Sequence, residues 1–163
     1  MHTAKICQRS ECASRAASLA RPLVFTNGVF DLFHRGHVEC LEAARRLGAS
    51  LVVGLNSDLS AQMLGKGPGR PVNPAADRAA VVAALECVSL VVVFDEPAPL
   101  ALLAELRPEV YAKGGDYRHK ALREADLVQQ WGGTTVILHY LQGRSTSGLI
   151  ERAFHIGAME KLT

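Results

Sequence analysis

Apolar runs and segments with helical spacing alternate along the 163-residue chain. Within the runs, apolar residues do not alternate with polar ones, which is typical of strands buried on both faces of a parallel sheet. Five strands are predicted, at 23–30 (LVFTNGVF), 50–56 (SLVVGLN), 88–94 (VSLVVVF), 109–116 (EVYAKGGD) and 134–141 (TTVILHYL).

The segments between these runs have the spacing of helices. In 37–47, HVECLEAARRL, apolar residues fall on one stripe, and Gly48 ends the helix. Further helices are predicted at 75–87, 99–106 and 120–131, from about residue 147 onward, and as one turn within the long loop 57–74. The alternation predicts one doubly wound, Rossmann-like α/β domain of about five parallel strands with helices on both faces.

The first 21 residues differ from the rest of the chain. They are polar and alanine-rich with weak helical periodicity, so we expect 1–21 to form a leader helix or arm and 22–163 to form the domain. A domain of this size buries roughly 70% of the surface that its unfolded chain exposes, which is enough for one core.

Composition and charge narrow the range of partners and compartments. The net charge is +2, and no run of lysine and arginine exceeds two residues, so no nucleic-acid partner is expected. No stretch has the length and apolarity of a secretory signal or a membrane span. The four cysteines lack the C-x-x-C spacing of a zinc or redox site, which favours free thiols in a cytoplasmic protein.

Four loops leave the carboxyl ends of predicted parallel strands, so they should meet at one edge of the sheet. Ligands of such folds bind at that edge. The loops are residues 26–37, 56–74, 113–119 and 142–148. Cationic and imidazole side chains are concentrated there: His34, His37, Lys66, Arg70, Lys113, His119 and Arg144. Such groups together with glycine-rich backbone bind phosphate, so a polyphosphate site is predicted.

The first of these loops, TNGVFDLFHRGHV, carries two histidines three residues apart. If a helix begins near Gly36 or His37, its free N–H groups and positive dipole end face the ligand, with His34 and His37 on either side. Gly36 would allow close approach of a phosphate oxygen. The alternative is that both imidazoles are packing or surface groups.

Two motifs within these loops resemble a known enzyme superfamily. GVFDLFHRGHVECL resembles the G-x-F-D-x-x-H-x-G-H signature of the HxGH nucleotidyltransferases, and GRSTSGLI at 143–150 resembles their second signature. The resemblance implies attack of a phosphate on the α-phosphorus of a nucleoside triphosphate, with release of pyrophosphate. It also implies that 22–163 is the nucleotidyltransferase domain.

Longer segments resemble the branch of that superfamily that acts on heptose phosphates. They are VVGLNSDLSAQMLGKGPGRPVNPAADRAAVVAALE and YAKGGDY. The resemblance implies that ATP and D-glycero-β-D-manno-heptose 1-phosphate are the substrates and ADP-heptose, a precursor of lipopolysaccharide core or surface polysaccharide, is the product. It further implies Mg²⁺ held mainly by the ATP phosphates, no metal site built by the protein, a stand-alone enzyme without a sugar-kinase domain, and a homo-oligomer (a dimer or larger).

The resemblance also assigns residues to roles. The catalytic residues implied are His34, His37, Lys66 and Asp31. The ATP-binding residues implied are Thr26, Asn27, Gly28, Phe30, Gly36, Arg78, Arg144, Ser145, Thr146 and Ser147. The sugar-phosphate-binding residues implied are Lys113, Gly114, Asp116, Tyr117 and Asn56. Ser147 stands where relatives usually carry a threonine, and its hydroxyl preserves phosphate binding.

Three of these assignments have alternatives. Asp31 could orient an acceptor hydroxyl or the motif backbone, reach magnesium through water, or only stabilise a turn. Arg78 could reach the leaving group or pair with Asp77 or Glu86. Lys66 could be a lid residue that closes over phosphates or a solvated surface charge.

Two other functions stay open from the sequence. A cytidylyltransferase acting on glycerol 3-phosphate or a related alcohol phosphate would use the same histidine motif, because only its base and acceptor pockets differ. A non-catalytic nucleotide-sensing module would keep the fold and the binding loops without turnover.

Overall fold

A computed structural model of the protein describes residues 2–65, 67–115, 122–138 and 146–160. Six strands in those ranges form one sheet, and every paired strand runs parallel to its neighbour. The strands are β1 Ile6–Cys7, β2 Leu23–Gly28, β3 Ser50–Asn56, β4 Leu90–Phe94, β5 Val110–Gly114 and β6 Thr134–Leu138. Their order across the sheet is β1-β4-β3-β2-β5-β6.

Seven α-helices connect or flank these strands in the described part of the chain. They are α1 Cys12–Ala17, α2 Arg35–Arg45, α3 Asp58–Met63, α4 Ala75–Ala83, α5 Leu100–Leu106, α6 Arg123–Gln129 and α7 Thr146–Glu160. Short 3-10 helices lie at His2–Lys5 and Arg9–Glu11. The predicted helices are all present, and α3 is the turn expected within the long loop, capped by Ser57 Oγ, which accepts from the Ser60 N–H.

The strand count is a correction to the sequence prediction. The five predicted strands form, but β1 adds a sixth by pairing Ile6 with Val91 and Cys7 with Val92. Cys12 and Ala16 of α1 are buried against the same sheet. A two-residue strand has no hydrophobic period, so its pairing could not be read from the pattern of residues 1–21.

Apolar layers cover both faces of the sheet, as the doubly wound prediction requires. Phe25 packs on one face with side chains of α1, α5 and α6. Val24 and Leu51 pack on the other with side chains of α2 and α4. Neighbouring residues of one strand enter opposite layers because side chains alternate across a strand, so β2 reads as continuously apolar.

The order of the strands determines where the site lies. From β2 the chain moves outward through β3 to β4, and then returns to place β5 on the other side of β2. The direction of strand order therefore reverses between β2 and β5, where α/β sheets bind ligands. Among the residues described, no helix combines the length and the apolar character needed to span a bilayer.

Candidate active site

A cleft of about 590 Å³ opens over the carboxyl ends of β2 and β5. The loop after β2, the end of β3 and the first turn of α7 complete its walls. Most of the predicted site residues that the structure describes line it: Thr26, Asn27, Gly28, Phe30, Asp31, His37, Asn56, Lys113, Gly114, Thr146 and Ser147. Five others fall outside the described residues: Lys66, Asp116, Tyr117, Arg144 and Ser145.

The two histidines stand at the start of α2. His34 is the extended residue before the helix, and its ring stacks on that of His37 at 3.8 Å between centroids. The His34 N–H donates to His37 Nδ1 in a long hydrogen bond of 3.4 Å. When Nδ1 accepts this bond, the proton of a neutral His37 ring is on Nε2. His37 lines the cleft. Gly36 is buried in this first turn.

Two aromatic rings surround His37. The centroids of Phe30 and Phe33 both lie 5.3 Å from that of His37. Phe30 has a left-handed backbone, with φ of 49°, a conformation that costs about 1–3 kcal/mol in a residue other than glycine. A Cβ at Gly28 would lie 3.0 Å from Phe30 Cε2, so glycine lets this ring cover the end of β2.

A hydrogen-bond network holds Lys113 at the other side of the cleft. Its Nζ donates to Asn27 Oδ1 at 3.1 Å, and the Tyr111 hydroxyl donates to the same oxygen at 2.8 Å. Glu124 of α6 lies 3.8 Å from Lys113 Nζ and also lines the cleft. Sequence analysis missed Glu124, because a carboxylate in a helical pattern resembles any solvated side chain.

Asp31 is almost fully buried, with 3% of its surface exposed. Its Oδ1 accepts from the backbone N–H groups of Val72 and Asn73 at 2.8 and 3.0 Å, and its Oδ2 from Arg70 Nε at 2.7 Å. Burial alone would raise the pKa of this carboxyl, but the three hydrogen bonds together lower it. Of the roles open to Asp31, its contacts favour fastening the loop before α4.

Arg78 forms neither of the two ion pairs that the sequence left open for it. Its Nη2 pairs with Asp58 Oδ1 at 2.7 Å, and not with Asp77 or Glu86. The remaining nitrogens donate to carbonyls: Nη1 to those of Val29 and Asn56, and Nε to that of Asn73. The side chain is completely buried, so it joins the loops beneath the cleft. Asp58 is the first residue of α3, and the sequence alone did not distinguish it from any other carboxylate in the first turn of a helix.

A second helix start faces the cleft. The predicted final helix begins at Thr146, and both Thr146 and Ser147 line the cavity. The amino ends of α2 and α7, with His37 and Lys113, thus supply N–H donors and positive charge around one space. Such an arrangement is chemically suited to a polyanion. Within the described residues, no group of three or more His, Cys, Asp or Glu side chains could hold a metal ion.

The sequence and the fold of the chain are similar to those of known proteins. A family model described as cytidylyltransferase-like matches residues 25–142. A relative from Bordetella bronchiseptica, named D-beta-D-heptose 1-phosphate adenylyltransferase, is 51% identical over 148 residues, covering 90% of this chain and 91% of that protein. A bifunctional protein HldE from Streptomyces coelicolor is 55% identical over 141 residues, or 86% of this chain.

The bifunctional relatives are much longer than the chain. The match covers 30% of the Streptomyces protein and 26% of a bifunctional protein HldE from Magnetococcus marinus. Among solved structures, a lipopolysaccharide core biosynthesis protein from Thermoplasma volcanium superposes with a TM-score of 0.62 at 25% identity, covering 75% of this chain and 98% of that one.

Proposed function

Since the chain belongs to the cytidylyltransferase-like family of nucleotidyltransferases, we propose that it transfers the adenylyl group of ATP to D-glycero-β-D-manno-heptose 1-phosphate. The products are ADP-heptose and pyrophosphate. The observation that carries the proposal is the convergence of His37, Lys113 and the starts of α2 and α7 on one cleft. The identity of the acceptor substrate is inferred from the name of the Bordetella relative.

The chemistry needs electrostatic stabilisation more than a base. A phosphate monoester has a second pKa of about 6, so the acceptor is already ionised at neutral pH. The barrier lies in bringing two polyanions together and in the charge that builds on the α-phosphate and the departing pyrophosphate. His37 Nε2 and the two helix starts are suited to receive that charge, and His34 holds the His37 ring.

The residues around the cleft divide between the two substrates. Thr26, Asn27, Gly28 and Phe30 are proposed to line the nucleotide site, with Thr146 and Ser147 on the phosphates. Lys113 and Gly114 at the end of β5, with Asn56 at the end of β3, are proposed to face the sugar phosphate. Asn56 is held for this by a 2.8 Å hydrogen bond from its Nδ2 to Ser60 Oγ.

Some expected roles concern residues outside the described ranges. We keep Lys66, Arg144 and Ser145 as proposed triphosphate contacts, and Asp116 and Tyr117 as proposed sugar contacts, on the strength of the motifs alone. Mg²⁺ is proposed to enter with ATP, held by its phosphates, since these are hard oxygen ligands.

The setting of the reaction is also a proposal. ATP and sugar phosphates are intracellular metabolites, so we place the enzyme in the cytoplasm. We retain two further proposals. Residues 22–163 form the catalytic unit, and 1–21 supply β1 and α1 to its edge. The protein is a homo-oligomer of two or more chains. Sedimentation of the purified protein measures the last of these directly.

A pyrophosphate-release screen tests the function. ATP and CTP are each offered with heptose 1-phosphate, other sugar 1-phosphates and glycerol 3-phosphate. Turnover with ATP and heptose 1-phosphate is expected. Turnover only with CTP and glycerol 3-phosphate would establish the cytidylyltransferase alternative, and tight ATP binding without turnover on any acceptor would establish the nucleotide-sensing one.

A further inference from the structure

Arg70 lines the cleft with a guanidinium that the protein uses only in part. The side chain is 12% exposed, and its Nε donates to Asp31 Oδ2 at 2.7 Å. Among the described residues, no hydrogen-bond or ion-pair partner contacts its terminal nitrogens, Nη1 and Nη2. These nitrogens are not among the buried side-chain atoms without a partner, so they are open to the solvent of the cleft, where the oxygens of a ligand can reach them.

The protein holds this guanidinium firmly before any ligand arrives. Asp31 is itself fixed by the N–H groups of Val72 and Asn73 on its other oxygen. Asn73 Nδ2 returns a hydrogen bond to the Asp31 carbonyl at 3.0 Å, which joins the loop before α4 to the loop after β2. Arg70 therefore loses little side-chain freedom on binding, and its remaining two nitrogens form a pre-set fork.

The chemistry of the fork indicates its ligand. Two parallel N–H donors of a guanidinium match two oxygens of a phosphate, and such charge-assisted pairs are stronger than neutral hydrogen bonds. We infer that Arg70 is a substrate-binding residue whose Nη1 and Nη2 bind two oxygens of a phosphate group, with Asp31 as its positioning residue. The inference rests on the proposed function, whose substrates carry two candidate phosphates: the monoester of the sugar and the triphosphate of ATP.

Calorimetric titration of the whole protein with ATP, adenosine and heptose 1-phosphate tests the inference. In Arg70→Lys the charge stays but the fork is lost, and we expect at least one phosphate ligand to bind about 10- to 100-fold more weakly, the range for hydrogen bonds to charged groups. Adenosine binding should not change. Arg21→Lys is the matched control, because Arg21 Nη1 pairs with Glu109 Oε1 at 2.7 Å beside the amino ends of β2 and β5.

The ligand whose affinity falls shows which substrate phosphate Arg70 binds. Weaker ATP binding assigns the triphosphate, and weaker sugar-phosphate binding with unchanged ATP binding assigns the monoester. Unchanged binding of both would overturn the role of Arg70, as would an equal loss for adenosine, which indicates a structural effect. Failure of the proposed reaction is separate, since it would appear as no turnover by the wild type while the ATP titration still reports on Arg70.

A measurement on the wild type covers the case in which Arg70→Lys does not fold. Phenylglyoxal modifies the terminal nitrogens of arginine, and mass spectrometry of the digested protein locates the product. ATP, heptose 1-phosphate or inorganic phosphate at saturating concentration should slow modification of Arg70, but not of Arg21. Equal modification of Arg70 with and without all three ligands would overturn the inference.

Discussion

The ammonium nitrogen of Lys113 lies 3.1 Å from the side-chain oxygen of Asn27, so a hydrogen bond joins the ends of β5 and β2 across the floor of the cleft. The two residues are 86 positions apart in the chain. Tyr111 donates to the same Asn27 oxygen. The amide thus holds a cation at the point where strand order reverses, together with Glu124, whose Oε1 lies 3.8 Å from Lys113 Nζ.

Replacement of Lys113 by glutamine should raise the KM for the sugar phosphate about tenfold or more, because one charge-assisted contact is lost. The KM for ATP should change much less. Steady-state kinetics with each substrate varied in turn measures both. Lys5→Gln is the control, since Lys5 Nζ donates to the Leu85 carbonyl at the β1 edge of the sheet. Equal effects of the two variants would contradict the role of Lys113.

His37→Ala should lower kcat by a factor of about 10²–10³, the usual cost of removing one donor to developing charge. The His34→Ala/His37→Ala double variant should be at least as slow. Pyrophosphate release under saturating substrates is the measurement, with the melting temperature recorded for each variant. His2→Ala, which alters an exposed histidine in the first 3-10 helix, should retain full activity. An undiminished rate in the double variant would refute the mechanism.

Arg78→Met should destabilise the fold by about 3–5 kcal/mol, because it leaves the carbonyls of Val29, Asn56 and Asn73 without their donor. Urea denaturation at neutral pH measures the free energy of unfolding. Arg35→Met is the comparison: its ion pair with Glu39 is formed by a side chain 72% exposed, so the loss should be below about 1 kcal/mol. Similar losses in the two variants would show that Arg78 does not join the loops.

Gly114→Ala should be destabilising by about 1–3 kcal/mol, since its Cβ would lie 2.7 Å from Cys40 Sγ. Shortening the partner in Gly114→Ala/Cys40→Ala should recover much of the loss. A double-mutant cycle of unfolding free energies measures this coupling. Strictly additive effects would contradict the predicted clash between the new Cβ at position 114 and Cys40 Sγ.

Asp31→Asn should be less stable than the wild type by an amount that shrinks in acid. The folded pKa of Asp31 lies below its usual value of 3.8, so the ionised form favours the folded state. This contribution is complete above the unfolded pKa and is lost as the pH falls through the folded pKa. Urea denaturation of both proteins from neutral pH to below pH 4 tests it. A difference that does not depend on pH would contradict the assignment.

Local sequence patterns predicted most of the fold and the centre of the candidate site. The unalternating apolar runs predict a parallel sheet covered on both sides, and the helical stripes predict the connections between strands. Because the carboxyl ends of parallel strands share one edge, the loops holding His37 and Lys113 had to meet there. The start of α2 was also readable to within two residues: the sequence predicts it near Gly36 or His37, and the helix begins at Arg35.

Partners far apart in the chain were decided only by the tertiary structure. The order β1-β4-β3-β2-β5-β6 brings Asp31 to Arg70, Arg78 to Asp58, and Glu124 to Lys113. None of these pairs follows from residue type, because each charge had several possible partners of opposite sign. Hydrophobic period determines which face of an element is buried, but the identity of a charged partner depends on which strands lie side by side. That is why Arg70 looked like one more loop cation until the fold placed Asp31 against it.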